Sequence, residues 1–406
     1  MEMSKSNTLG SAPAYDHEAP SPAVHVALLT TLFAIGPVAF QIFLPALPGL
    51  SADFHASSSV LALTVSLATL SFALAALTYG GLADKFGRRP TILIGMSLLT
   101  FGSLLGAFAP SMEVLLLARV LQSAGGAAGI VVSRAIVVDV YHGSEIARVM
   151  SRLVAAMMIA PMLATPVGGA ISDAVGWRGN FVATAVLAAM TLLLSLRYLP
   201  ETRKAHTANS AHGDGLFAGC GQLLRSRAYL GFTANNALFM AANTVFLAAA
   251  PLLLATQYKL TSFVIGVIYI LGALMFALGA YASARLPDDA FPAVVKAALL
   301  ACVASAAALG LALGGVWTVA AIVLPAAVVS FVVGFTGPTV QSGAVSAIPG
   351  MQGKASGMLM FLSSALTAAM IQLEARLSDG SPVPLTAIVA LCCFGAVVAL
   401  VTAPRR

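Results

Sequence analysis

Gly80-Gly81-Leu82-Ala83-Asp84-Lys85-Phe86-Gly87-Arg88-Arg89-Pro90 is a short charged stretch between two long apolar ones. Lys85, Arg88, Arg89 and Asp84 mark a water interface, and Gly87 followed by Pro90 marks a turn. The flanking segments, 57–83 and 90–109, are each long enough for a helix to cross a hydrocarbon core about 30 Å thick at about 1.5 Å per residue. The same alternation runs outward in both directions. It predicts spans at 23–50, 112–140, 147–175 and 179–198, and then at 226–256, 262–285, 293–314, 316–345, 353–377 and 384–403.

Composition agrees with that reading. Of 406 residues, 59% are apolar and 9% charged, with mean hydropathy +0.94, against about 25% charged in soluble domains. A soluble enzyme is excluded. The net charge of +6 does not point to nucleic acid, because the basic residues fall in short gaps between apolar segments and form neither a long basic run nor a basic, aromatic platform. Cys220, Cys302, Cys392 and Cys393 have no metal-ligand spacing and read as packing residues, so neither a metal nor a cofactor is expected.

Sixteen of the 21 Lys and Arg residues, including Lys85, Arg88, Arg89, Arg148, Arg152, Arg203 and Lys354, fall on one side of this twelve-span pattern. The opposite side holds Arg178, Lys259 and Arg376, while Arg119 and Arg134 lie inside the fourth span. Cations are retained on the cytoplasmic side during insertion, so both termini are predicted to be cytoplasmic. The expected organisation is a disordered tail over 1–22, a six-helix bundle over 23–198, a central cytoplasmic linker over 199–225, a second six-helix bundle over 226–403, and a short end at 404–406. Six plus six spans about a polar linker is the arrangement of transporters built from two repeated bundles with substrate held between them. The fold class is therefore an all-α membrane protein of twelve transmembrane helices in two six-helix bundles.

The 80–90 stretch resembles the signature loop of the major facilitator superfamily. By that resemblance, Gly80, Asp84, Gly87, Arg88, Arg89, Arg134 and Asp139 belong to an inner gate, with Asp84 facing Gln352 and Gly353 and Arg88 near Asp139. Phe43-Leu44-Pro45-Ala46-Leu47-Pro48 looks like an element of the Bcr/CflA-like drug/proton antiporters. Ala118-Arg119-Val120-Leu121-Gln122-Ser123-Ala124-Gly125-Gly126-Ala127 resembles the family's Arg-x-x-Gln-Gly segment, and the stretch from Arg134 to Tyr141 continues the likeness. Ala160-Pro161-Met162-Leu163-Ala164-Thr165-Pro166-Val167-Gly168-Gly169 is similar to the antiporter motif. Independently of the resemblance, Ala160, Ala164 and Gly168 form a smooth stripe for close packing, and Pro161 and Pro166 weaken the helix ladder. The likeness covers most of 43–202, whereas the second half matches mainly in hydropathy.

Arg119 falls about 10 Å below the end of its span. It either lines the pathway or clamps backbone carbonyls. The resemblance implies an acid four residues before the first proline of Leu-Pro-Ala-Leu-Pro, but Gln41 stands there. Gln41 can hydrogen-bond Arg119 at nearly the same depth, yet it cannot titrate. Glu374 is the best remaining proton-coupling candidate beside Arg119; the alternative is an interfacial partner for Arg376. Gln122, Asn235, Asn236 and Asn243 can orient a substrate, and Phe239, Met240, Tyr269, Met358 and Phe361 can form an adaptable wall.

The function expected is export of small hydrophobic compounds or antimicrobials across a bacterial inner membrane, in exchange for protons, by a monomer without a cofactor. The alternative is an importer or facilitator of a small metabolite or organic anion, to which Gln41 lends weight. An enzyme is not expected, since no metal motif, nucleotide loop or pair of deep carboxylates is present.

Overall fold

The computed structural model describes residues 26–203, 220–286, 291–348 and 351–402. The predicted tail 1–22, most of the predicted linker (204–219) and the end 404–406 lie outside these. Among the described residues, twelve helical segments are long and apolar enough to cross a membrane. The first is broken into α1 (Val26–Gln41), a 3-10 turn (Leu44–Ala46) and α2 (Leu47–Phe54). Pro45 and Pro48 sit in the opening turns of the last two pieces, where a missing N–H costs nothing. Then follow α3 (Ser58–Phe86), α4 (Arg88–Ala107), α5 (Met112–Val140), α6 (Ser144–Val175) and α7 (Arg178–Tyr198). A short α8 (Cys220–Arg225) precedes α9 (Arg227–Tyr258), α10 (Ser262–Ser283), α11 (Phe291–Leu313), α12 (Val319–Ser346), α13 (Gln352–Leu377) and α14 (Val383–Thr402).

Every predicted span is present, with ends within a few residues. The expected unbroken first span is corrected by its two prolines. The predicted linker is also not plain loop at its margins, because Cys220–Arg225 is helical and Glu201 is tied back to α4.

Chain direction places the start of α1, the α3–α4 turn and the α5–α6 turn at one end of the bundle, called here the loop end. The α2–α3 and α9–α10 turns lie at the far end. Within the first half α5 packs on α1, α3 and α4, and α4 on α7. Within the second half α9 packs on α12, α13 and α14, and α10 on α12. The halves meet through α6 on α10 and α3 on α13.

Small residues set the closest approaches. A Cβ at Gly36 would lie 2.6 Å from the Gly126 carbonyl oxygen, so α1 and α5 touch backbone to backbone. Aromatic rings close the first half at the far end. Phe181 packs edge-on against both Phe43 and Trp177, at centroid distances of 5.5 and 6.0 Å.

Candidate functional site: a neutral cavity between the halves

Between the halves lies a cavity of about 420 Å³, lined by α1, α3, α5 and α6 on one side and α9, α10, α12 and α13 on the other. Its polar wall consists of Gln41, Thr69, Gln122, Ser123, Thr165, Asn243, Thr244, Tyr269, Ser330 and Ser364. Phe40, Phe72, Met157, Met158, Met162, Met240, Phe246 and Phe276 supply much of the rest. Among the described residues, no Asp, Glu, Lys, Arg or His lines it. Methionine and aromatic side chains repack around different shapes, and the scattered hydroxyls and amides can each orient a polar group.

Arg119 stands one layer behind this wall. It is fully buried, and its Nη1 donates to Gln122 Oε1 at 2.5 Å and its Nε to the Thr64 carbonyl at 3.3 Å. The guanidinium lies over the Phe43 ring at 4.0 Å and the Phe40 ring at 5.8 Å. Gln122 relays the contact to Ser103 Oγ at 3.0 Å, which donates to the Leu99 carbonyl at 2.7 Å. Arg119 Nη2 has no partner. Taking a guanidinium out of water costs several kcal/mol; each aromatic face gives back about 0.5 to 2 kcal/mol. The structure thus places Arg119 in the clamp geometry while leaving one donor open beside the cavity wall.

The expected Gln41–Arg119 pairing does not form. Gln41 lines the cavity with its Oε1 buried and unpartnered, and Arg119 takes Gln122, one turn along its own helix, instead. Asn236 and Asn243 share a helix face, but only Asn243 reaches the cavity, where its Oδ1 accepts from Ser330 Oγ at 2.9 Å. Asn236 is a tie between helices, donating to Ser363 Oγ at 2.9 Å and accepting from Gln341 Nε2 at 3.2 Å. Asn235 donates to the Ala396 carbonyl at 2.7 Å. Phe239 is core, and neither Met358 nor Phe361 lines the cavity. Met240 and Tyr269 do, the latter with its hydroxyl donating to the Leu247 carbonyl at 2.9 Å. Glu374 is buried near the far end of α13 and forms no ion pair with Arg376 among the described residues. Sequence reasoning missed Thr69, Met157, Met158, Met162, Ser330 and Ser364; the methionines beside the Pro161–Pro166 pair were the available signal.

The loop end is organised within the first half. Arg88 Nε donates to Asp139 Oδ2 at 2.8 Å and its Nη1 to Asp84 Oδ1 at 2.5 Å. Arg89 Nη2 donates to the Leu196 carbonyl at 2.8 Å. Glu201 accepts from the backbone N–H of Arg88, Arg89, Thr202 and Arg203 at 2.9 to 3.2 Å, so it caps α4 from 113 positions away. Gly87 has φ +105°, and a Cβ there would sit 2.5 Å from Glu201 Oε2, so no other residue fits this turn. Ser66–Gln372 and Leu77–Gly357 neighbours fix the register of α3 against α13, which brings Asp84 level with Gln352. Asp84 is nonetheless spent on Arg88, and α13 begins without a side-chain cap. A Cβ at Gly80, Gly81 or Gly353 would meet nothing within 4 Å.

The far end is organised between the halves. Asp173 at the end of α6 accepts from the Ser262 and Phe263 N–H at the start of α10, at 3.0 and 2.9 Å. A Cβ at Gly169 would lie 2.2 Å from the Ser262 carbonyl oxygen, and one at Gly266 would lie 2.5 Å from that of Thr165. Gln372 Nε2 donates to Ser66 Oγ at 2.9 Å. Pro161 and Thr165 line the cavity on the same helix, Pro166 lies against Gly266, and Gly168 packs on the Ile42 carbonyl. The α6 motif is therefore a junction between cavity and seal. The hydrogen bonds that tie one half to the other through Asp173 and Gln372 lie toward the far end of the cavity.

Residues 27–371 match the family model described as Major Facilitator Superfamily. The chain belongs to the Major Facilitator Superfamily. Its relatives include multidrug resistance protein D of Escherichia coli (strain K12), 25% identical over 86% of this chain and 88% of that protein. Multidrug resistance protein MdtL of Shigella flexneri is 33% identical over 44% of the chain and 46% of that protein. An uncharacterized transporter of Rickettsia bellii is 35% identical over 43% of each. The chain thus spans less than half of the last two relatives. Among solved structures, a D-xylose-proton symporter overlays with a TM-score of 0.73 at 14% identity, covering 93% of this chain and 96% of that one, a likeness of fold alone. This Major Facilitator Superfamily member is a multi-pass membrane transporter, not an enzyme, and its substrate class is that of small molecules.

Proposed function

We propose that this transporter exports small, largely hydrophobic compounds, antimicrobials among them, across a bacterial inner membrane in exchange for protons. The observation that carries the reading is the uncharged, methionine- and aromatic-rich cavity shared by both halves. The multidrug resistance relatives support it. In this reading the loop end, with its concentration of Lys and Arg, is cytoplasmic, both termini lie on that side, and the monomer is the working unit. The geometry is then the inward-facing state of an alternating-access cycle about a mid-depth site. Gln41, Gln122, Asn243, Met240 and Tyr269 contact substrate. Arg119 sets a positive field behind the wall, so neutral or anionic compounds are accepted better than lipophilic cations. Glu374, a buried acid close to the Gln372–Ser66 seal, carries the proton.

A second reading is a facilitator or importer of a small metabolite or organic anion. Its support is Gln41, which cannot exchange a proton, together with a cavity wall that holds no acid. Purified protein in liposomes with a trapped pH dye separates the two. Compound-dependent proton movement that is abolished by Glu374→Gln and reduced by Arg119→Ala supports the exporter. Compound flux with no proton movement in the unaltered protein supports the facilitator instead.

A further inference from the structure

Arg134 is absorbed neither by the signature-loop ion pairs nor by the cavity. It lies on α5, six residues from the helix's loop end at Val140, hence about 9 Å inside. Ser123, which lines the cavity, is eleven residues earlier on the same helix. At about 100° per residue that spacing returns to the same face. The Arg134 guanidinium lies over the ring of Phe33 on α1 at 5.3 Å, and Phe33 is one turn below Pro37, another cavity-lining residue. Two helices therefore agree that Arg134 lies on the cavity-facing side between the loop end and the cavity, and its side chain is exposed there. Asp139, five residues further along α5, and Asp84 are both engaged by Arg88. No ion pair of Arg134 is found among the described residues.

An intramembrane arginine normally pairs with an acid or faces a water-filled path. Here the path holds the exposed guanidinium, which lies over the fully buried ring of Phe33. Deeper in, on the same face of α5, Arg119 keeps one donor without a partner, and no acid lines the cavity between them. Field lines in a low-dielectric passage with one sign of charge concentrate counter-ions. We propose that Arg134 is an entry site selecting substrates that join a hydrophobic body to one carboxylate or similar anionic group. The anion forms a charge-assisted hydrogen bond to the guanidinium while the apolar part points on toward the methionine- and aromatic-lined cavity. The compound then passes to the neutral cavity, drawn by the second positive charge behind it. This rests on the transport reading above and narrows its substrate class.

The test uses the full chain in lipid nanodiscs and a matched series: a hydrophobic aryl carboxylate, its neutral primary amide and its amine analogue. Binding is measured at low and high salt. The carboxylate is expected to bind roughly tenfold more tightly than the amide, as for one charge-assisted hydrogen bond, and more weakly at high salt, with the amine weakest. Arg134→Gln is expected to erase the carboxylate preference and its salt dependence while leaving amide binding unchanged. Arg134→Lys retains the charge, keeps part of the preference and serves as the folding control. Equal binding of carboxylate and amide, or an undiminished preference in Arg134→Gln, overturns the assignment while amide binding leaves the transport reading standing. No binding of any member of the series overturns both.

Discussion

The two ends of this transporter differ in which half each polar group serves. At the loop end, Arg88, Asp84, Asp139 and Glu201 bond one another or the backbone inside the first half, and a Cβ at Gly80, Gly81 or Gly353 would meet no neighbour. At the far end, Asp173 and Gln372 spend their hydrogen bonds across the gap, and Gly169 and Gly266 let two backbones touch. The chemistry is similar, a carboxylate on a helix N-terminus in both places. Asp173 caps a helix of the opposite half, however, whereas Glu201 caps one of its own. A cap across the gap closes a door, and a cap within a half builds a rigid hinge plate. The loop end also holds its next partner in register, since Asp84 stands level with the uncapped start of α13.

That contrast can be broken from either end. Gly169→Leu has the largest expected effect, because the added side chain enters the Ser262 backbone and overpacking costs about 1 to 3 kcal/mol. The far-end-closed population should fall about fivefold to a hundredfold, read as labelling by a membrane-impermeant thiol reagent of a cysteine at Ser66, which is buried between α3 and α13; unchanged labelling would contradict the seal. Gly87→Ala forces a non-glycine residue to φ +105° and against Glu201, which costs about 1 to 3 kcal/mol of stability. Its thermal midpoint in detergent should drop by several degrees, while Gly80→Ala, in the interior of α3 with no neighbour to meet, should hold it or raise it slightly. Asp173→Asn keeps the shape but removes the charge at the α10 N-terminus, a change of about 0.3 to 1 kcal/mol. The same labelling should rise only about twofold to fivefold, and Asp379→Asn at the α13–α14 turn should not change it.

Much of the fold was legible because each span must be apolar for about 20 residues, a requirement local in sequence. The break after Gln41 was visible in Pro45 and Pro48 yet hidden by the continuous hydropathy around them. The Arg88–Asp139 pair followed from resemblance. Glu201 did not, since nothing local links it to a turn 113 positions earlier. At the cavity, residue type and helical face indicated Gln41, Gln122, Met240, Asn243 and Tyr269. The same reasoning put Arg119, Asn236, Phe239, Met358 and Phe361 there too. A helical wheel gives the direction of a side chain but not what stands in front of it: Phe40 and Gln122 cover Arg119, and Ser363 and Gln341 hold Asn236.

The central claim is that the halves exchange which end is closed. The direct test is a pair of spin-label distances in protein whose four cysteines are replaced by alanine, one pair at the far end on Ala170 and Val264, the other at the loop end on Lys85 and Gln352. On addition of a transported compound and a proton gradient, the far-end distance should lengthen as the loop-end distance shortens. Two distances that stay fixed, or that lengthen together, would contradict it.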